Sequence, residues 1–408
     1  MPLAGLAHAS RFRRWSAAWL TLGSLAATLA FLEGAARVIV HRREARPLTT
    51  RGSIIRFDPW LGWVKPPRTE AWLHRPEYHV HLEINSHGLR GPDRDYPKPP
   101  GTRRILLLGD SFTEGFTVGE EATTRAVLES TLRGSGCGEW EVINAGTMGY
   151  GTDQEYLFYD REGRRYAPDI VVVLFFYNDL NGNLASDAKP WFTAEGDRLT
   201  LRGSPVASPR EGEWMRRPEP RRQKVRPWRG SMALRLLGDR AQSGNPPLHR
   251  FLARTGLVEA SRAVELPADF WPFGPGHRQE VAEMWRRTEA ILVALRAEVE
   301  ATPARFAVFY VPDETEIDDR VAELTRQRYG MGPRWWRSGR VFDRLHGISV
   351  ARDFALFDPR FAFLQAKRRG VQPYFPEDGH WNEDGHRLAA EVLARALRYQ
   401  GWVSCAAR

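Results

Sequence analysis

The chain has 408 residues, 42% of them hydrophobic and 27% charged, which suits one large folded domain with appendages, or two domains, and excludes a disordered chain. Only two cysteines are present, Cys137 and Cys405, so no disulfide framework is implied; they read as unpaired thiols, although an oxidising compartment would let them join. The formal charge is +9, and residues 202–254 hold thirteen Arg and Lys against four acids, so this one segment carries the whole excess and the remainder is balanced.

Arg11, Arg13 and Arg14 precede Trp15–Leu32, an uncharged run of 18 residues. It is longer than the ~7–15 residues of a signal-peptide core and close to the ~20 that span a bilayer. The expectation is a cytoplasmic stretch over 1–14, a single transmembrane anchor over 15–36 and an exported body, periplasmic or at the cell surface. Basic residues flank both ends, so the charge rule leaves orientation open; a short amino terminus with no domain ahead of it favours the exported body. A cleavable signal ending near Gly34-Ala35-Ala36 and a buried core helix are the alternatives.

Residues 37–100 form a juxtamembrane, β-rich extension dense in Trp, Pro and Gly. Tyr78–Ile84 alternates polar and apolar residues as a half-buried strand does, and Asn85-Ser86-His87-Gly88 reads as a turn. His79, His81 and His87 raise the question of a metal. No acid or cysteine stands beside them at ligand spacing, so no metal is assigned.

The chain is organised around Arg103–Gly115, RRILLLGDSFTEG. Ile105–Leu108 has the character of a buried strand and stops abruptly at Gly109-Asp110-Ser111. A side chain placed there sits at the carboxyl end of a parallel strand, where open α/β sheets bind their ligands. Ser111 there can be a nucleophile if a base reaches it. Taken alone, Asp110 or Ser111 could equally be a helix cap.

Further along, Glu121–Leu132 reads as a helix, Glu141–Ile143 as a strand running into the Gly-rich turn Asn144–Gly151, Asp153–Tyr166 as a helix, and Ile170–Phe176 as a third strand ending at Asn178-Asp179. The glycines do not follow G-x-G-x-x-G, so a nucleotide site is rejected. Alternating strands and helices predict a parallel sheet wrapped by helices. The region 190–261, rich in Pro and Arg, breaks the rhythm; it is expected to lie over the sheet rim as an insertion, with a short helix near Met232–Leu237. It is proline-broken and lacks a nucleic-acid-binding module, so nucleic acid is not expected as a partner. Arg278–Glu300 reads as a helix, Phe306–Val311 and Phe354–Phe357 as strands four and five, and the acids at 313–319 as a solvated helix start. Pro376–His386, PEDGHWNEDGH, precedes a last helix over Arg387–Arg398 and supplies an acid two residues before His380.

The order Gly-Asp-Ser, Asn-x-x-x-x-Gly, Asn-Asp and Asp-x-His resembles the SGNH (GDSL-type) esterases and acyltransferases. The Asp-x-His-Trp form is similar to the membrane-linked branch related to alginate-type polysaccharide O-acetyltransferases. The resemblance covers about 103–399 and implies a three-layer α/β/α fold with a central, mostly parallel five-stranded sheet, in a domain spanning 101–408. It implies Ser111 as nucleophile, His380 as base, Asp378 as acid with Glu377 in reserve, and an oxyanion hole from Ser111, Gly149 and Asn178. His386 is read as packing against the last helix. No cofactor and no metal is implied. The expected activity is that of a serine esterase on acyl, most simply acetyl, esters of a cell-surface glycan or lipid. The alternatives are an O-acyltransferase working with polysaccharide-export partners and a non-catalytic carbohydrate-binding protein on the same fold.

Overall fold

The computed structural model describes residues 20–21, 23–38, 49–50, 54–184, 186–208, 231–255, 257–258, 266–332 and 337–405. Five parallel strands form the central sheet: β1 (Arg103–Gly109), β2 (Trp140–Asn144), β3 (Ile170–Phe175), β4 (Arg305–Tyr310) and β5 (Ala355–Phe357). Their spatial order is β5-β4-β3-β1-β2. Ile170–Phe175 is buried at every position. That is why β3 reads as a continuous apolar run: a parallel sheet covered on both faces leaves no solvent side to alternate toward.

The helices follow from the same order. Chain direction across the sheet reverses between the β1–β2 step and the β2–β3 step. Right-handed crossovers therefore put α1 (Thr124–Gly134) and α2 (Thr152–Arg161) on opposite faces. The last helix, α4 (Glu383–Tyr399), packs on α1, and α3 (Arg278–Glu300) packs on α2. β1 and β3 are neighbours whose next strands lead away in opposite directions. Their carboxyl ends are thus the switch point of the sheet, where a crevice opens.

The two cysteines are bonded to each other, which corrects the expectation of free thiols. Cys137 lies between α1 and β2, and Cys405 lies just past α4. The packing of α4 on α1 joins residues 268 apart in sequence, a proximity that no count of cysteines reveals. The extension ahead of the sheet is two antiparallel hairpins, Arg56–Asp58 with Gly62–Val64 and Glu70–His74 with His79–Glu83. The second buries Leu73, Tyr78, Val80 and Leu82 against Phe116.

The Pro/Arg-rich region does not behave as one piece. Trp191–Glu195 and Arg198–Arg202 form a hairpin packed on α3, and 209–230 lies outside the described residues. Met232–Gly244 and Pro246–Arg254 are helices of a second compact unit, drawn from 1–47 and 218–264. Within that unit residues 23–38 are helical, and the Glu33 carboxylate accepts from the Ser231 hydroxyl at 2.7 Å and the Ala233 N–H at 3.1 Å. No helix among the described residues is long and apolar enough to cross a membrane. Residues 15–19 and 22 of the expected anchor lie outside them.

The acids after β4 start a helix as expected, Asp313 capping Glu314–Ile317. They are not solvated throughout, however: Glu316 accepts from the Tyr310 hydroxyl at 2.7 Å, and burial pushes its carboxyl up to about 8.

Candidate active site

The turn after β1 is sterically closed. A Cβ on Gly109 would stand 2.0 Å from Thr113 Oγ1. Asp110 caps the short helix Ser111–Glu114 by accepting the Phe112 N–H at 2.9 Å. Capping and chemistry therefore fall on different residues, and Ser111 is left at the first helical position. Its Oγ lies 2.8 Å from His380 Nε2, and His380 Nδ1 lies 2.6 Å from Asp378 Oδ1. A carboxylate facing Nδ1 makes that nitrogen the donor, so Nε2 is the ring nitrogen free to accept the serine proton. The ring is packed between Phe112 and Phe116, with centroids 4.7 and 4.9 Å away. Burial alone would raise the Asp378 carboxyl, but its bond to His380, the imidazole charge and a bond from Tyr78 outweigh that and hold it below the usual carboxylate range.

Asn178 follows β3, and its Nδ2 donates to Asp110 Oδ2 at 3.0 Å. One hydrogen of that amide is thereby used, and among the described residues nothing takes the second. The loop after β2 docks on the serine helix: Met148 N–H donates to Glu114 Oε2 at 2.7 Å, and a Cβ on Gly146 would stand 2.3 Å from the Glu114 nitrogen. Gly149, with φ +76°, occupies the left-handed region that glycine tolerates. No hydrogen bond among the described residues takes the Ser111 or Gly149 N–H. Asn144 shapes this loop by accepting from the Gly146 N–H at 3.0 Å. Behind the site stand four buried carboxyls, Asp110, Asp153, Glu155 and Asp179. Burial raises all four.

Of the two acids before the histidine, Asp378 is the one bonded to the ring. The Glu377 N–H instead donates to the Glu77 carboxylate at 2.9 Å. His386 is buried under Thr124, whose hydroxyl lies 2.9 Å from Nδ1, and burial depresses its pKa to about 3. Several residues at the site carried no local signal in the sequence. The Tyr78 hydroxyl reaches Asp378 Oδ2 at 3.0 Å, and Trp63 Nε1 donates to the Met148 carbonyl at 3.0 Å. Lys65, fully enclosed, binds the Gly146 carbonyl and Thr147 Oγ1. Arg90 ties down the carbonyls of Glu114, Gly115 and Val118.

Acids do flank one of the extension's histidines: Glu83 from two residues along the same strand, and Glu70 from the strand paired with it. His81 Nε2 is 3.2 Å from Glu70 Oε2, and its Nδ1 is 3.8 Å from Glu83 Oε1. One ligand-type atom from each of Glu70, His81 and Glu83 lies within 4.8 Å of the other two, the spacing of a group that could hold a cation. All three side chains are exposed or half-exposed, and such exposed acids commonly stand without an ion.

Residues 269–407 match the family model described as the SGNH hydrolase-like domain of the acetyltransferase AlgX. Over those residues the chain is similar to SGNH hydrolase-like domains. Among curated proteins nothing matches. Solved structures similar to this chain include a lipase/acylhydrolase from Enterococcus faecalis, 12% identical, covering 75% of this chain and 100% of its own, with a TM-score of 0.35. The psychrotrophic esterase EstA from Pseudoalteromonas sp. is 13% identical, covering 73% of this chain and 98% of its own, with a TM-score of 0.37. The family match takes in the loop bearing Asp378 and His380, while Ser111 and Asn178 lie ahead of it, each just past a strand of the same sheet.

Proposed function

We propose that this SGNH protein moves acyl groups through an ester on Ser111, with acetyl esters of a glycan or lipid as donors. The observation that carries this is the unbroken chain of hydrogen bonds from Ser111 Oγ through His380 to Asp378. A serine hydroxyl is a poor nucleophile until a base takes its proton as it attacks. His380 takes that proton on Nε2, and Asp378 holds the ring in the matching tautomer and stabilises the imidazolium. The negative oxygen of the tetrahedral intermediate is met by the Ser111 and Gly149 amides and the free hydrogen of Asn178 Nδ2. His380 then returns its proton to the leaving alcohol. Water as the second reactant gives an esterase. A sugar hydroxyl gives an O-acetyltransferase, and the match to the AlgX acetyltransferase domain favours this second reading. An exported body suits the bond between Cys137 and Cys405, since disulfides persist in oxidising compartments; an anchor over 15–36 would hold it at the membrane.

The test is hydrolysis of p-nitrophenyl acetate by the full-length protein and by Ser111→Ala, with and without an added oligosaccharide. Turnover should fall by about 10⁶-fold in the variant, the scale seen when a triad serine is lost. Acetylated oligosaccharide as product marks a transferase and free acetate an esterase. Equal turnover by both proteins would end the assignment.

A further inference from the structure

The hairpin of the extension ends in a turn, Arg75-Pro76-Glu77-Tyr78, that grips the loop carrying the acid of the site. Arg75 N–H donates to the Tyr78 carbonyl at 2.9 Å, closing the turn. Glu77 then accepts the backbone N–H groups of Glu377 and Asp378, one on each carboxylate oxygen, both at 2.9 Å. Tyr78 completes the contact with its hydroxyl on Asp378 Oδ2 at 3.0 Å. The Tyr78 ring is buried and cannot swing away, because it packs on Phe375 at 5.2 Å and Phe116 at 6.2 Å. The gripped loop closes on itself through the Gly379 N–H on the Phe375 carbonyl at 2.7 Å and the Phe375 N–H on the His380 carbonyl at 2.9 Å, and neither of these bonds touches the Asp378 carboxylate. Glu377 is exposed, and the next turn passes through Gly379 at φ +82°.

We propose that Tyr78 is a positioning residue for acyl transfer, holding the Asp378 carboxylate by its outer oxygen so that the inner oxygen meets His380. This rests on the reading of Ser111 and His380 given above. An aspartate side chain has two torsions, and a single bond to an imidazole leaves its carboxylate free to rock about that contact. A second bond from a fixed donor removes the freedom. It also draws electron density from the carboxylate and so sets how strongly Asp378 stabilises the imidazolium. The other ionisable groups facing this pair are Arg75 and Glu77 on the hairpin, Asp110 beside Ser111, and His386 behind His380. Tyr78→Phe leaves all of them in place.

Without the Tyr78 bond Asp378 becomes a stronger acceptor, so the imidazolium is better stabilised and the pKa of His380 rises. Tyr78→Phe in the full-length protein should lower kcat for p-nitrophenyl acetate about tenfold, the low end of what a hydrogen bond to a charged group contributes. KM should not change, and the acid limb of the pH profile should move to higher pH. NMR titration of the His380 ring should show the same upward shift without depending on turnover. Loss of packing alone would leave both titrations where they are. Glu77→Ala should lower kcat as well while leaving the His380 titration nearly unmoved, since Glu77 touches only the backbone. A wild-type kcat, or an unmoved His380 titration, in Tyr78→Phe overturns the proposal while turnover lost in Ser111→Ala keeps the parent reading. Turnover retained by Ser111→Ala overturns both.

Discussion

The two halves of the site are held by different means. Ser111, Gly149 and Asn178 stand at the carboxyl ends of β1, β2 and β3; Asp110 and Asn144 shape their turns locally, at Phe112 and Gly146, and Trp63, Lys65 and Arg90 of the extension brace the same loops. His380 and Asp378 stand on a loop that belongs to no strand. Their support comes from Glu77 and Tyr78, 300 residues away in sequence. The strand ends therefore place the nucleophile and its oxyanion donors, with the extension bracing their loops from outside, while the acid beside the base is held across the fold by the second hairpin. Energetically the halves differ too, with buried acids crowded behind the nucleophile and a half-exposed carboxylate beside the base.

The largest expected effect breaks the nucleophile half. Lys189 is buried against Asp153, itself fully enclosed at the start of α2. Lys189→Met leaves that carboxyl without its partner, and removing one member of a buried pair costs about 3–5 kcal/mol. Denaturant unfolding should show the loss growing with pH, because burial already raises Asp153 and a protonated Asp153 needs no cation. A loss under about 1 kcal/mol at neutral pH would mean the pair behaves as a surface one. Asn178→Ala comes next. It removes a donor from the oxyanion and should cost about 10²–10³ in kcat with little change in KM. Steady-state kinetics at saturating ester would show this, and an unchanged kcat would remove Asn178 from the hole.

The disulfide joins the flank of β2 to the end of the chain, and so sharpens the comparison from outside the site. Cys137→Ser with Cys405→Ser should lower stability by about 2–4 kcal/mol and leave kcat unchanged. Thermal melts with and without a thiol reductant would check this, and melts that ignore the reductant would show that the bond contributes nothing.

What could be read from the sequence divides along the same line as the site. The parallel sheet and the strand-end residues were legible because each rests on a few adjacent positions: an apolar run, then Gly109-Asp110-Ser111, or Asn178 after Ile170–Phe175. Helix Arg278–Glu300 kept its predicted bounds, since its apolar spacing is local as well. The grip of Tyr78 on Asp378, the bond between Cys137 and Cys405, and Glu70 beside His81 were hidden. Each is a contact between elements whose pairing only the finished fold decides. Spacing could offer both Glu377 and Asp378; the path of the turn selects which carboxylate meets the ring.

The smallest effect separates the halves by pH. Glu155 is buried behind Ser111, and among the described residues neither carboxylate oxygen has a hydrogen-bond partner. Burial raises its pKa well above the ordinary value, and the charges of Asp110 and Asp153 raise it further. A carboxyl that holds its proton more tightly when folded stabilises the protein below the unfolded pKa and loses that contribution as pH rises through the folded one. The acid shell of the nucleophile half should thus make stability fall with rising pH. Asp378, depressed by its imidazole partner, does the opposite: its contribution is present above the unfolded carboxylate pKa and is lost only on acidification. Glu155→Gln keeps the shape and removes the titration. Its melting temperature should exceed that of the unaltered protein at pH 8 and approach it at pH 4. A constant offset across that range would mean that Glu155 stays ionised in the fold, and that some other cation or solvent compensates the crowded acids behind the serine.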